Sequence, residues 1–199
     1  MNLNHARVCT SPEWARQLQT SVLPTVTAGA ELGTVMLEVG PGPGAATDWL
    51  RHRVERLVAV EYEQPAAEAL AARFAATNVE VHHGDATALS FPDDTFDSVA
   101  CFTMLHHVPT PALQNRLLAE VLRVLRPGGV LVGSDSLPGD GLHHFHEGDT
   151  YNPVEPAAFL TRLQTLGFVD LTIGVGGRLT FVAHKPGPAA EDDGATGIR

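Results

Sequence analysis

Three glycines at alternate positions, Gly40, Gly42 and Gly44, follow an apolar run that begins at Val35. Glycine lets the backbone adopt positive φ and approach a ligand closely, because it has no Cβ. The two prolines between these glycines fix their own φ angles and stiffen the loop. The pattern therefore predicts a strand followed by a loop that is shaped in advance for close contact with a nucleotide-type cofactor.

An acidic residue, Glu38, lies two positions before the first glycine, at the predicted carboxyl end of the strand. The glycine spacing differs from the dinucleotide pattern G-x-G-x-x-G, although Ala45 occupies its last position, where that pattern tolerates alanine. The loop by itself thus leaves the cofactor open. A carboxylate at this place repels a pyrophosphate group and attracts a cation, which favours a positively charged cofactor without phosphate.

Two further acids follow the next predicted strands. Glu61 ends the apolar run 57–61, about 20 residues after the glycine loop, the spacing at which a carboxylate can accept hydrogen bonds from two ribose hydroxyls. Asp85 follows a third run, 79–83. Since the carboxyl ends of parallel strands meet at one edge of a sheet, we expect these acids and Glu38 to form a joint site.

With these residues the chain resembles the class I S-adenosylmethionine-dependent methyltransferases, whose first motif reads acid-x-G-x-G-x-G. The resemblance extends from Val35 to Asp135 and is to the small-molecule, type 11-like branch of the family. It implies S-adenosylmethionine as cofactor and S-adenosylhomocysteine as product. The cofactor-binding residues that it implies are Glu38, Gly40, Gly42, Gly44, Glu61, Tyr62, Asp85, Ala86, Phe102 and Thr103.

The resemblance also implies a role for most of these residues. Asp85 accepts a hydrogen bond from the adenine amino group, and the backbone N–H of Ala86 reaches the adenine ring. Tyr62 lies beside the adenine and can stack on it. Phe102 and Thr103 border the methionine end of the cofactor.

Histidines supply the candidate catalytic groups. His106 follows the predicted fourth strand, where in this family the methionine end of the cofactor meets the acceptor, and an imidazole there can take a proton. Packing beneath the loop is the competing interpretation for this residue. His143 is the second candidate, because it lies in the connection after the predicted fifth strand, which commonly builds the acceptor pocket.

The connection 140–147 holds three imidazoles and two carboxylates, a set of donors that could bind a divalent metal ion. Adjacent side chains of an extended segment point apart, so the spacing fits no compact ligand template. We therefore predict no metal site. Contact with the acceptor and a solvated loop remain the alternatives for this cluster.

The sequence predicts an enzyme that transfers a methyl group from S-adenosylmethionine to an O, N or C nucleophile of a small molecule. Two other functions remain open at this point. One is a non-catalytic protein that binds the cofactor or acts as a scaffold. The absence of a signature catalytic base favours this alternative. An NAD(P)-dependent oxidoreductase is the other, and Glu38 disfavours it because of the cofactor's pyrophosphate.

The composition of the chain limits the classes of partner that it is expected to bind. The 199-residue chain has a formal net charge of -10 and no basic cluster, which makes nucleic acid and anionic membranes unfavourable partners. The chain also lacks the Asn/Asp-Pro-Pro-aromatic box of amino-methylating DNA enzymes. Since no apolar run has the length of a signal peptide or membrane span, we expect a soluble, cytoplasmic protein. The sequence does not indicate an oligomeric state.

Alternating strand and helix patterns predict the scaffold that must position these residues. They indicate an α/β fold with a Rossmann-like, doubly wound, seven-stranded and mostly parallel sheet, helices on both faces and an antiparallel last strand. The Gly176-Gly177 pair between the last two apolar runs indicates the hairpin that reverses this strand. We divide the chain into an N-terminal helical arm (1–34), a methyltransferase domain (35–185) and a disordered tail (186–199).

Overall fold

Seven strands form one sheet within the residues that the structure, a computed structural model, describes, which are 7–139 and 144–188. The strands are β1 (Val35–Val39), β2 (Arg56–Glu61), β3 (Val79–His83), β4 (Phe96–Phe102), β5 (Leu125–Asp135), β6 (Val169–Val175) and β7 (Leu179–His184). Their order across the sheet is β3-β2-β1-β4-β5-β7-β6. The predicted Rossmann-like sheet is confirmed.

The first five strands run parallel, and β7 runs antiparallel to both β5 and β6. The chain reverses between Val175 and Leu179, so the last strand inserts between β5 and β6 instead of adding at the edge. The predicted hairpin and antiparallel last strand are therefore confirmed. The parallel arrangement brings the carboxyl ends of β1 to β5 to one edge of the sheet, where the predicted site residues follow them.

Helices cover both faces of the sheet. They are α1 (Pro12–Gln17), α2 (Leu23–Thr27), α3 (Ala45–Leu50), α4 (Gln64–Arg73), α5 (Pro111–Val124) and α6 (Pro156–Leu166), together with a π-helical turn (Leu18–Val22) and a 3₁₀ turn (Leu105–His107). Along β1, Leu37 and Val39 pack in the cluster that holds α5 and α6. Met36 points the other way and packs with α2 and α3. Alternation along one strand therefore divides the core into two layers.

The described part of the N-terminal segment is helical. Ser11 caps α1 by accepting a hydrogen bond from the Trp14 N–H at 3.1 Å. The π-helical turn that follows ends just before Pro24, a residue without an N–H to donate to the preceding turn. Leu18 and Leu23 are buried against the sheet, and full burial of each such side chain contributes roughly 1.5–3 kcal/mol.

Several element boundaries differ from simple motif expectations. The sequence pattern after the glycine loop predicts a helix from Ala45 to Arg53, but this helix ends at Leu50, and α5 passes directly into β5 at Leu125. The sequence predicts that Pro127-Gly-Gly ends the helix before the fifth strand, but this segment lies within β5, beside a register shift between Phe96 and Ser98. His143 and the part of the predicted tail from 189 onward lie outside the described residues. Within those residues, every helix is too short or too polar to cross a membrane.

Candidate functional site

The three predicted acids follow neighbouring strands at one edge of the sheet. Glu38 pairs with Ala59 in the register of β1 and β2, so Glu61 lies two residues further along the adjacent strand. Glu61 in turn pairs with His83, two residues before Asp85. Glu38 and Glu61 are buried, whereas Asp85 is exposed. The sheet therefore brings together the carboxylates that the motifs placed at successive strand ends.

Two glycines of the glycine loop pack closely against side chains, and the middle one lies beside open space. All three glycines have positive φ, at 65° for Gly40, 53° for Gly42 and 83° for Gly44. A Cβ at Gly40 would lie 3.0 Å from the Met104 side chain, and a Cβ at Gly44 would lie 2.6 Å from Leu70. A Cβ at Gly42 would meet nothing within 4 Å. The outer glycines are thus required by the fold, while the middle one faces space in which a ligand can approach the backbone.

Glu61 braces this loop as well as following β2. Its Oε2 accepts a hydrogen bond from the Gly42 N–H at 3.0 Å, and its Oε1 accepts one from the Glu63 N–H at 3.1 Å. A carboxylate can accept about four hydrogen bonds, so capacity remains for two ribose hydroxyls. The sequence predicted the ribose role of this acid but not its bond to the glycine loop.

Glu38 is an acid in a desolvated position, only 2% exposed. The pKa of Glu38 is raised to about 7, chiefly by burial; the Thr47 side chain lowers it in part, and the negative charge of Glu61 adds to the rise. Its Oε2 has no hydrogen-bond partner among the described residues. Since a buried polar atom is rarely left without a partner, this oxygen fits a site where a bound cation or N–H group completes the contacts.

The predicted adenine-side residues surround the ends of β2 and β3. Tyr62 is 67% exposed, which leaves its ring accessible as a stacking surface. Asp85 Oδ1 accepts a hydrogen bond from the Thr87 N–H at 2.8 Å, and Ala86 is half-buried beside the core. This turn geometry holds Asp85 at the edge of the sheet. The adenine roles of these residues stay predictions.

The turn after β4 is strained at Thr103. Phe102 is buried at the strand end, and Thr103 has a φ of 56°, which is unusual for a β-branched residue. The Thr103 N–H donates to the Ser134 carbonyl at 2.7 Å, while its buried Oγ1 has no hydrogen-bond partner within the described part of the chain. Strain of this kind concentrates at functional sites, which agrees with the predicted position of Thr103 beside the cofactor.

His106 lies on the 3₁₀ turn that follows and forms a buried pair with Asp135, at the end of β5. The distance between His106 Nδ1 and Asp135 Oδ1 is 2.5 Å, and the two side chains are 1% and 0% exposed. The Asp135 carboxylate also accepts hydrogen bonds from the backbone N–H groups of His106 and Ser136. We assign the proton to Nδ1 because Asp135 accepts it there, which makes Nε2 the basic nitrogen.

The sequence did not predict Asp135 as a site residue. Its position at the end of the fifth strand was the available signal, since acids at the ends of β1 and β2 were assigned on that ground.

A segment of the connection after β5 packs over this turn. The His106 ring lies 4.9 Å from that of His146 and 5.8 Å from that of Tyr151, and the latter two stack at 4.5 Å between ring centroids. The Asn152 N–H donates to the His106 carbonyl at 2.7 Å. The buried Gln114 amide joins the two segments by donating to the carbonyls of Leu105 and Asn152. Side chains from β5, α5 and the connection thus position His106.

A cavity of about 410 Å³ adjoins this cluster. Its size falls in the range of small-molecule sites. Burial and the charge of Asp135 raise the pKa of Tyr151, so its hydroxyl keeps its proton near neutral pH. The cavity is lined by His144, His146, Glu147, Gly148, Asp149 and Tyr151.

Comparisons with known proteins agree with this geometry. Residues 37–133 match the model of a family described as methyltransferase domain. A probable S-adenosylmethionine-dependent methyltransferase of Mycolicibacterium smegmatis is 30% identical over 151 residues, which are 72% of this chain and 55% of that protein. A demethylmenaquinone methyltransferase of Clavibacter sepedonicus is 36% identical over 101 residues, which are 50% of this chain and 40% of that protein. The chain thus spans about half the length of these relatives.

Among solved structures, a protein of Pyrococcus horikoshii OT3 has the same fold with a TM-score of 0.74 and 20% identity, over 89% of this chain and 93% of that one. Together with the motifs and the sheet order, these matches show that the chain belongs to the class I S-adenosylmethionine-dependent methyltransferases. The predicted family and its cofactor, S-adenosylmethionine, are confirmed.

Proposed function

We propose that this protein transfers the methyl group of S-adenosylmethionine to an O, N or C nucleophile of a small molecule and releases S-adenosylhomocysteine. One observation carries the proposal. A Cβ at Gly40 would lie 3.0 Å from Met104, so the glycine loop abuts the turn that leads directly to His106. A cofactor on the loop and an acceptor beside His106 would therefore be neighbours.

The charges of the first region suit this cofactor. S-adenosylmethionine carries a sulfonium and an ammonium group and no phosphate. A cation near Glu38 would stabilise its charged form, whereas the pyrophosphate of a pyridine nucleotide would be repelled by Glu38 and Glu61. The chain's net charge of -10 acts in the same direction. These charges favour a methyltransferase over an oxidoreductase.

The chemistry asks little of the protein beyond positioning. In methyl transfer the nucleophile attacks the methyl carbon in line with the leaving sulfur, so alignment and exclusion of water supply much of the acceleration. An acceptor hydroxyl or protonated amine must also lose a proton. We assign His106 to this step, because Asp135 fixes its ring and stabilises positive charge on it. His143 stays a second candidate for the same task.

The cavity beside His146 and Tyr151 supports a small acceptor. Its volume of about 410 Å³ suits a metabolite or the reactive end of a larger molecule. Its lining includes Glu147 and Asp149, which disfavour a nucleic-acid acceptor through repulsion of its phosphates. The Clavibacter sepedonicus relative is named for a small acceptor, demethylmenaquinone, in agreement with this class.

Calorimetric titration of the purified protein with S-adenosylmethionine, S-adenosylhomocysteine and NAD tests the cofactor. We expect saturable binding of the two adenosyl compounds and none of NAD. A library of small-molecule acceptors incubated with methyl-labelled cofactor then tests transfer. NAD binding without adenosylmethionine binding would favour the oxidoreductase. Cofactor binding without label transfer across hydroxyl, amine and carbon acceptors would favour the scaffold.

A further inference from the structure

Three histidines from two separate segments meet at the acceptor side of the sheet. His106 and His107 belong to the 3₁₀ turn, and His146 belongs to the connection after β5. Each histidine contributes one ring nitrogen to the cluster, and these three nitrogens all lie within 4.8 Å of one another. His106 and His146 are buried, and His107 is half-buried. Three imidazoles are thus concentrated in a largely buried place.

The distances between these three nitrogens are close to the distances between ligand nitrogens in a metal site. Zinc binds imidazole nitrogen at about 2.0–2.1 Å with tetrahedral geometry, which places two such nitrogens about 3.3 Å apart. Nitrogens within 4.8 Å need to approach by about 1.5 Å at most. Rotation of the His107 and His146 imidazoles about their side-chain bonds would supply a movement of this size while Asp135 holds His106.

Asp135 provides the outer partner that metal-binding histidines generally have. A histidine ligand typically donates its other ring N–H to a carboxylate, which fixes the ring and makes the ligating nitrogen more basic. His106 Nδ1 lies 2.5 Å from Asp135 Oδ1, so His106 would bind an ion through Nε2. The fully buried carboxylate also offsets part of the charge of a bound cation.

We propose that His106, His107 and His146 bind a divalent transition-metal ion, for which zinc is the best match. Imidazole donors suit zinc and its neighbours, whereas magnesium and calcium require oxygen ligands. Three protein ligands leave a fourth coordination position, as in catalytic zinc sites. His146 also lines the cavity, which places this position beside the proposed acceptor.

The inference rests on the proposed function for the role of the ion. An acceptor hydroxyl bound at the fourth position would lose its proton to solvent, because the ion lowers the pKa of the hydroxyl. The resulting oxygen would form a bond to the methyl carbon, while the carbon–sulfur bond breaks and its electron pair stays on sulfur. With the ion bound to its Nε2, His106 would act as a ligand of the ion rather than as the proton acceptor itself, and would promote proton loss through the ion.

Metal binding is testable without any acceptor. Chelator-treated full-length protein is titrated with Zn²⁺ by calorimetry and with Co²⁺ by visible absorption, which reports tetrahedral nitrogen coordination. We expect one ion per chain. His146→Ala and His107→Ala are each expected to weaken binding at least tenfold, and Asp135→Asn by 10- to 100-fold although it removes no ligand. His52→Ala is the matched control, because His52 is exposed outside this cluster.

Circular dichroism and thermal unfolding of each variant show which variants fold, and the half-buried His107 provides a test that disturbs the core least. Equal Zn²⁺ affinity in the wild type, His107→Ala and His146→Ala proteins would overturn the inference. Methyl transfer by metal-free protein would remove the role of the ion and leave the proposed function intact. One bound ion that depends on these histidines, with no transfer to any acceptor, would support the metal site and oppose the proposed function.

Discussion

The two regions of the site are built in different ways. The region that we propose for the cofactor, called the cofactor region below, consists of the glycine loop and of acids at or just after the ends of β1, β2 and β3, and its parts follow one another within residues 38–86. The region that we propose for the acceptor, called the acceptor region below, combines the turn after β4, Asp135 of β5 and the segment 144–152, which are separated in sequence. Sequence motifs predict the residues of the first region because each motif is short and lies at the end of its own strand. The second region exists only after the connection folds back over the turn.

The regions also differ in how they hold their charged groups. Glu61 is bound by backbone N–H groups of the glycine loop and of Glu63, so its position depends on local backbone geometry. Asp135 also accepts backbone N–H bonds, from His106 and Ser136, but in addition it is bound by a side chain, that of His106, from a different β-α unit. Substitutions in the first region should therefore affect cofactor binding, whereas substitutions in the second should affect turnover at unchanged cofactor affinity.

The largest expected effect separates the regions most sharply. His106→Ala should lower turnover of an identified acceptor by roughly 10²- to 10⁴-fold, because assistance to proton loss is removed. Its affinity for S-adenosylmethionine should stay at the wild-type value. Initial rates with labelled cofactor and calorimetry measure the two quantities, with His52→Ala as control. An equal loss of affinity and turnover would mean that the regions are not separable.

Because of Glu38, in the cofactor region, the stability of the folded protein is expected to depend on pH. Its pKa in the folded protein is about 7 against an ordinary value of 4.5, so the folded state holds the proton more tightly. The resulting stabilisation, about 3 kcal/mol, is fully present below pH 4.5 and is lost as pH rises through 7. Urea unfolding of the cofactor-free protein between pH 5 and 8 should show this loss, and Glu38→Gln should abolish this part of it.

Cofactor affinity should change in the opposite direction with pH, since the charged form of Glu38 attracts a cation. Binding of S-adenosylmethionine should tighten as pH rises through 7 in the wild type and stay level in Glu38→Gln. A parallel rise in the variant would assign the effect to another group.

Glu61→Ala should weaken S-adenosylmethionine binding more than tenfold. The substitution removes an acceptor for ribose hydroxyls and also the bond that holds the Gly42 N–H. Glu63→Ala is a matched control, because this neighbouring acid is exposed and contributes only its backbone N–H to the site. Calorimetric affinities for both variants measure the difference, and equal values would refute the role of Glu61.

The smallest effects distinguish two glycines of one loop. Gly44→Ala should destabilise the protein by roughly 1–2 kcal/mol, because its Cβ would lie 2.6 Å from Leu70. Gly42→Ala should cost only the strain of its positive φ, about 1 kcal/mol, yet weaken cofactor binding more, because its Cβ enters the open space. Thermal unfolding shows which variant is less stable, and calorimetry shows which variant binds the cofactor more weakly. If the same variant is the more affected in both assays, this assignment is contradicted.

Much of the scaffold could be predicted because strand and helix periodicities are local. Apolar spacing and the Gly-Gly turn predict a helix at 111–125 and two last strands at 168–175 and 178–184, and the boundaries of α5, β6 and β7 lie within one residue of these. The direct passage from α5 into β5 was not predicted. A Pro-Gly-Gly segment normally ends an element, and only pairing with β4 and β7 keeps it within a strand.

The sequence by itself determined the fold and the family, and it predicted which edge of the sheet binds the cofactor, because each motif lies at the end of its own strand. The tertiary structure alone decided which groups surround His106. The spacing of 143–147 argued against a metal site, since adjacent side chains in one extended segment diverge. Folding instead brings His146 to His106 and His107, and Asp135 to His106, across separations of 29 to 40 residues that no local pattern encodes.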